Sequence, residues 1–378
     1  MKRLVVCCDG TWNKPDNVAI TNIEKIARTI QTDAKACDDV QQLVLYVGGV
    51  GIGYKLDRLL GGAFGSGLFN NVKTAYRFLA LNYEPGDEIF VFGFSRGAYT
   101  ARSLVGMIGL VGLLTRRSLI ADKLPEAVNR YQRRGPAGRP FGASNEEFKR
   151  DFCHPQTPTK FLGVFDTVGA LGVPGTMPKD HQFHDIRLGD SVLCARQALA
   201  IDDRRITFEP CLWDVPVSMA ARVKQVWFPG GHSDVGGGAR ARALSDTALL
   251  WMVGEAIARG LSFAEDRLFA QLHHEDEFVC RFRPGLLFGA LNLLKRMHPR
   301  PRFRGDRRVL AGVPTPPDTV DAVYLAQTAA HLTADPTSAY ARHARNVAWW
   351  RDAAGPDLAH LVEPIPGGTR EDRPLVLA

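Results

Sequence analysis

Glu88-Ile89-Phe90-Val91-Phe92-Gly93-Phe94-Ser95-Arg96-Gly97-Ala98-Tyr99-Thr100-Ala101-Arg102 runs from an apolar stretch through Gly-x-Ser-x-Gly into helix-forming residues. That order predicts a strand, a sharp turn and a helix, the pattern of a nucleophile elbow. Small neighbours let the chain reverse around Ser95. The turn lifts the hydroxyl above the sheet edge and aims the next backbone N–H at the same space. Five such residues recur by chance, so the flanking strand and helix give the pattern its weight. The plainer reading of Ser95 is a turn serine that caps the helix.

Four more apolar runs rich in β-branched and aromatic residues lie at Leu4–Cys8, Leu43–Val47, Phe161–Phe165 and Val223–Phe228. Each leads into a turn containing Gly or Asp. Helical patterns separate the first four of the five runs, with apolar residues at 20, 23, 26, 27 and 30, and at 68, 69, 72, 75, 76, 79 and 80. This alternation predicts an α/β fold with a mostly parallel central sheet and helices on both faces. Ligand chemistry should gather at the carboxyl ends of the strands. The segments 115–158 and 174–222 read as inserted caps. The first has a short helix near 123–134, the second a helical pattern around Ser191–Ala200. The expected organisation is a catalytic unit over 1–262 and a helical or irregular C-terminal extension over 263–378 packed on it, with a helix at Ser338–Arg351. There is no internal repeat.

A chain of 378 residues, 45% hydrophobic and 23% charged, has the composition of a soluble globular protein with a sizeable core. No run approaches the roughly 20 apolar residues that span a bilayer; Leu104 to Leu114 reads as a buried helix behind the elbow. The start, Met1-Lys2-Arg3-Leu4-Val5-Val6-Cys7-Cys8-Asp9, reads as a first strand, not a secretory signal. The seven cysteines are scattered and show no zinc spacing. A reducing cytoplasm is expected, with export by a dedicated secretion system left open. The net charge of +7 concentrates in Arg130 to Arg139 and in Lys295 to Arg308. The plain reading is a solvated face or loop, the functional one attraction to an anionic membrane surface. No nucleic-acid recognition motif accompanies the charge.

A serine hydroxyl needs a base to take its proton and a carboxylate to orient the base. Two later strands end in candidates: Gly163-Val164-Phe165-Asp166-Thr167 and Phe228-Pro229-Gly230-Gly231-His232-Ser233-Asp234. The order Ser95, Asp166, His232 is the Ser…acid…His order of α/β-hydrolases. Asp166 has a plain reading as a turn cap. Asp234 is its rival as the acid, and could instead bond the glycine loop. Charge developing on a substrate carbonyl needs N–H donors. Arg96 supplies one, and Gly10 or Thr11 in the turn after the first strand the other. In that turn Asp9 is a further candidate acid or supporting residue, and its plain reading is a helix-entry cap.

Cys8-Asp9-Gly10-Thr11-Trp12-Asn13, Gly93 to Arg102, Phe165-Asp166-Thr167-Val168 and Gly231-His232-Ser233-Asp234-Val235-Gly236-Gly237 resemble four signature segments of an α/β-hydrolase family. That family includes the catalytic domains of type VI secretion phospholipase effectors. Leu199-Ala200-Ile201-Asp202-Asp203-Arg204-Arg205 is also similar, and the resemblance covers roughly residues 3–260. It implies Ser95 as nucleophile, Asp166 as acid and His232 as base. It also implies an ester or lipid substrate, and a sheet without the first two strands of a full α/β-hydrolase. The reaction so expected needs no metal or organic cofactor. Two alternatives remain. One is a metal-assisted phosphoester hydrolase using Asp9, Asp166, His232 and Asp234. The other is a catalytically silent protein that binds anionic surfaces.

Overall fold

The computed structural model describes residues 1–10, 20–49, 62–132, 143–168, 188–273, 278–280, 302–311, 318–320, 322–337, 339–354, 358–365 and 375–377. Eight strands make one sheet: β1 (Lys2–Cys8), β2 (Gln41–Val47), β3 (Glu88–Phe94), β4 (Thr159–Phe165), β5 (Ala195–Ala200), β6 (Val223–Phe228), β7 (Val323–Ala326) and β8 (Val362–Glu363). Their order is β8-β7-β6-β5-β4-β3-β1-β2. Every pairing in it is parallel. The five apolar runs are β1, β2, β3, β4 and β6.

Side chains alternate across a strand, so a sheet covered on both sides must be apolar at every position. Leu4, Val6, Ile89, Val91, Leu162 and Val164 pack in one cluster. Their neighbours there include Tyr76 and Leu79 of α2 (Gly62–Asn82) and Leu104 and Ile108 of α3 (Arg96–Val111). Val5, Cys7, Phe90, Phe92, Phe161 and Phe165 pack in the other. There they meet Ile23 and Ile26 of α1 (Asn22–Thr29) and Leu249 and Met252 of the helix Ala243–Ile257. Helix α1 opens on Thr21, whose hydroxyl accepts the N–H of Glu24.

Four expectations change. The helical pattern around Ser191–Ala200 is instead strand β5. Its Ala, Gln and Leu favour a helix locally, but all six of its residues are buried between β4 and β6. The slot in the sheet overrides that preference. Among the described residues, the segment 115–158 holds three helices, Arg116–Ile120, Leu124–Gln132 and Ala143–Phe152, against the expectation of one. The C-terminal stretch also supplies strands β7 and β8 to the sheet. A third apolar cluster ties it there, joining Trp227 of β6 and Leu325 of β7 to Tyr340 and Trp350. The expected helix Ser338–Arg351 is divided into Ala339–His343 and Arg345–Ala354.

Because β1 lies between β3 and β2, the turn after β1 stands beside the elbow after β3. Strands β4 and β6 end on the same edge of the sheet.

Candidate active site

Ser95 leaves β3 with φ 56° and ψ −120°. A non-glycine residue in that region costs about 1–3 kcal/mol and persists only where its surroundings enforce it. They do so here through backbone contacts. The Ser95 N–H donates to Phe165 O at 3.0 Å. A Cβ on Gly97 would stand 2.1 Å from Cys8 O and 2.4 Å from Asp9 O, so α3 begins directly on the backbone at the end of β1. The Ser95 side chain makes no capping bond to α3. Its Oγ lies 2.8 Å from His232 Nε2.

His232 opens the short helix His232–Gly236. Three carboxylates hold its loop from beneath. Asp202 accepts the Gly230 N–H at 2.8 Å, Asp234 the Gly231 N–H at 2.8 Å, and Asp203 the His232 N–H at 3.2 Å. Phe94 lies against the imidazole at 4.6 Å between ring centroids, and Phe208 meets it edge-on at 5.0 Å. Gly236 leaves room for Phe94, since a Cβ there would stand 2.0 Å from that ring. Burial lowers the His232 pKa, against the opposing pull of the Asp166 carboxylate. The neutral imidazole is therefore favoured.

His232 Nδ1 lies 2.6 Å from Asp166 Oδ2. A carboxylate can only accept, so Nδ1 carries the proton and Nε2 is left to accept from the serine hydroxyl. Asp166 is completely buried at the end of β4, with φ 36°. Its Oδ1 accepts the Ala200 N–H at 3.0 Å. Arg308 Nη1 donates to Oδ1 at 2.6 Å and Nη2 to Oδ2 at 3.1 Å. Burial opposes the charge on Asp166, but Arg308 and His232 outweigh it and hold the pKa well below the usual carboxylate range.

The remaining candidates are arranged differently. Asp234 bonds the glycine loop, while the imidazole is paired with Asp166. Asp9 accepts from Thr21 Oγ1 and Tyr46 OH, each at 2.6 Å, and so anchors the turn after β1. The Gly10 N–H donates to Asp9 Oδ1 at 2.6 Å, which takes up the donor expected to face the substrate. Thr11 lies outside the described residues. Arg96 is the first residue of α3, and burial lowers its side-chain pKa to about 10. Among the described residues, no three His, Cys, Asp or Glu side chains gather as a metal would need. Arg308 already occupies the open side of Asp166.

Sequence reasoning missed Arg308, and it missed how Asp202 and Asp203 support the histidine loop. The signal for the aspartates was present in the Asp202-Asp203-Arg204-Arg205 stretch. Arg308 sits in an arginine-rich run that reads as solvated surface. The described part of that run is engaged internally: Arg304 stacks on Trp349 at 4.7 Å, Arg307 donates to His343 O, and Arg308 is buried on Asp166.

Residues 2–255 match the family described as "T6SS, Phospholipase effector Tle1-like, catalytic domain". The chain belongs to this family. Another protein similar to this Tle1-like chain is the Saccharomyces cerevisiae (strain ATCC 204508 / S288c) "Uncharacterized protein YEL023C". It is 30% identical over 236 residues, covering 57% of this chain and 33% of the yeast protein. The Tle1-like chain thus spans about a third of that curated relative. Two solved structures are also similar to it. An uncharacterized protein from Pseudomonas aeruginosa is 18% identical, over 70% of this chain and 47% of that one, with a TM-score of 0.42. The Tle1 effector bound to the VgrG spike of the type 6 secretion system is 19% identical, over 64% and 52%, with a TM-score of 0.36. Among the described residues no helix is long and apolar enough to cross a membrane.

Proposed function

We propose that this Tle1-like domain is a serine hydrolase that cleaves carboxylic ester bonds of phospholipids through Ser95, His232 and Asp166. The observation that carries the reading is the unbroken hydrogen-bonded chain from Ser95 Oγ to His232 at 2.8 Å and on to Asp166 at 2.6 Å. Membership of a phospholipase-effector family supports the substrate class.

Ser95 Oγ attacks the ester carbonyl carbon while His232 Nε2 takes the hydroxyl proton, and Asp166 faces the imidazolium that results. The backbone N–H groups of Arg96 and Thr11 are the proposed donors to the oxyanion, since the Gly10 N–H is bonded to Asp9. As the tetrahedral intermediate collapses, His232 gives the proton to the departing alcohol oxygen and the acyl group stays on Ser95. Water then attacks the acyl-enzyme, with His232 accepting its proton and returning it to Ser95 Oγ. The carboxylic acid is released and the site is restored.

Initial rates on phospholipid vesicles and on short and long carboxylic esters, compared with Ser95→Ala, test this reading. The variant should keep its melting temperature and lose about four to six orders of magnitude in kcat. A fluorophosphonate should label the wild type at Ser95 and leave the variant unlabelled. Full ester hydrolysis by folded Ser95→Ala would overturn the proposal.

A further inference from the structure

The family match ends at residue 255, yet the partner that fills the back of Asp166 comes from residue 308. Arg308 stands at the end of a small hairpin, Phe303–Arg304 paired with Arg307–Arg308, whose turn contains Gly305 at φ 68°. Its side chain is fully buried. It donates to both Asp166 oxygens, to Ala200 O at 2.8 Å and to Phe208 O at 2.7 Å. Its Nε has no hydrogen-bond partner among the described residues. A guanidinium removed from water loses several kcal/mol of hydration, which only well-formed pairing offsets. An apolar side chain would fill such a slot with less penalty if packing were its only purpose.

We infer that Arg308 is a positioning residue for the hydrolytic site: its planar fork fixes the Asp166 carboxylate in the orientation that receives His232, and its charge offsets that of the carboxylate beside the imidazole. The inference rests on the proposed roles of Ser95, His232 and Asp166. Geometrically, Oδ1 receives Ala200 N–H and Arg308 Nη1, and Oδ2 receives Arg308 Nη2 and His232 Nδ1. Rotation of the carboxylate about Cβ–Cγ would break both arms of the fork, so Oδ2 keeps facing the ring. Bidentate pairing of this kind supplies direction as well as attraction.

Electrostatically, an unopposed buried carboxylate would favour the imidazolium and leave His232 protonated, unable to accept from Ser95, up to higher pH. A cation on the far side of the carboxylate reduces that pull. The other charged groups that act on the histidine are Asp203 and Arg205. Asp203 and Arg205 are ion-paired with each other, and Asp234 is bonded to the Gly231 N–H. Arg308 lies against the Asp166 carboxylate that pairs with His232, so its removal should shift the titration of the histidine through that carboxylate.

The test is the pH dependence of kcat and KM for ester hydrolysis by the full chain, with Arg308→Gln, Arg308→Lys, Asp166→Asn and Asp166→Asn/Arg308→Gln. Melting curves verify folding. Arg308→Gln should lower kcat about 100-fold with little change in KM, as expected for a small misplacement of reacting groups. It should also raise the midpoint of the rising limb by about one pH unit. The double variant should be no slower than Asp166→Asn, because Arg308 acts through that carboxylate. An unmoved midpoint in folded Arg308→Gln would overturn the inference, as would costs that multiply in the double variant.

Should Arg308→Gln fail to fold, Arg308→Lys decides. It keeps the charge and loses the fork, so kcat should fall about 10-fold with the midpoint unmoved. A folded Lys variant with undiminished kcat, or with a raised midpoint, would overturn the inference. Ser95→Ala is assayed alongside. If it is inactive while the Arg308 predictions fail, only the role of Arg308 falls; if it is active, the hydrolytic reading itself falls.

Discussion

Ser95 and the His232–Asp166 pair occupy one edge of one sheet but are held by different physics. Ser95 is held by its own neighbourhood: a strand, a positive φ, and a glycine pressed onto the backbone of β1. His232 and Asp166 depend on side chains far away in sequence. Arg308 reaches Asp166 across 142 positions, and Tyr340 reaches Asp202, under the histidine loop, across 138. Backbone sterics are short-ranged and insensitive to pH. Buried ion pairs respond to loss of either partner and to protonation. The two halves should therefore fail differently.

The largest expected difference comes from Asp166→Asn. It leaves the Arg308 guanidinium buried without its counter-charge and gives His232 an ambiguous partner. Ester hydrolysis should fall about 10⁴-fold, and equilibrium unfolding should show a loss of about 3–5 kcal/mol. An Asn variant as stable as the wild type would erase the contrast. Gly97→Ala probes the nucleophile half. The added carbon meets two backbone carbonyls that no side-chain rotation can clear, so a loss of about 3 kcal/mol in urea unfolding is expected at any pH. A loss that vanished on acidification would tie the elbow to titratable groups after all.

The pH profile sharpens the comparison. Protonated His232 cannot accept from Ser95, so activity rises as pH climbs through its pKa. Burial lowers that pKa from 6.5, and kcat/KM measured over about pH 4–9 should reach half its plateau below 6.5. The smallest effect concerns Asp202, which burial raises to about 6 from 3.8, opposed by its bonds to Gly230 and Tyr340. A group whose folded pKa is raised contributes stability that is complete below about 3.8 and lost as pH rises through about 6. Asp202→Asn should remove that slope and leave the protein at neutral pH equal to the wild type or more stable. About two pH units at about 1.4 kcal/mol each bound the gain at roughly 3 kcal/mol. Thermal melting at about pH 4 and about pH 7 measures it.

What could be read from the sequence follows the same division. The elbow was legible because strand, glycine, serine, glycine and helix are adjacent, and adjacency is what a sequence displays. Asp166 and His232 stand out in the sequence because each follows an apolar run, and the structure brings them within 2.6 Å of each other. Strand β5 was concealed by residues that favour a helix until neighbours on both sides claim their backbone groups. Strands β7 and β8 are short, four and two residues, and gave little period to detect. Nothing near Arg308 distinguishes it from the other arginines around it. Its partner is set by tertiary structure, and a run so rich in charge reads as solvated surface. The competition at Gly10 was not legible either, since a neighbouring carboxylate takes the same N–H.

The contact between Gly97 and the carbonyls of Cys8 and Asp9 also bears on motion. Asp9 N–H is bonded to Val47 O and Ser95 N–H to Phe165 O, so backbone from the ends of four strands meets at this seam. Separating the elbow from β1 means parting two paired strands inside the sheet. Local opening, which frees peripheral segments at little expense, is closed to it. The position of the Ser95 hydroxyl is thus tied to the integrity of the β1–β3 pairing.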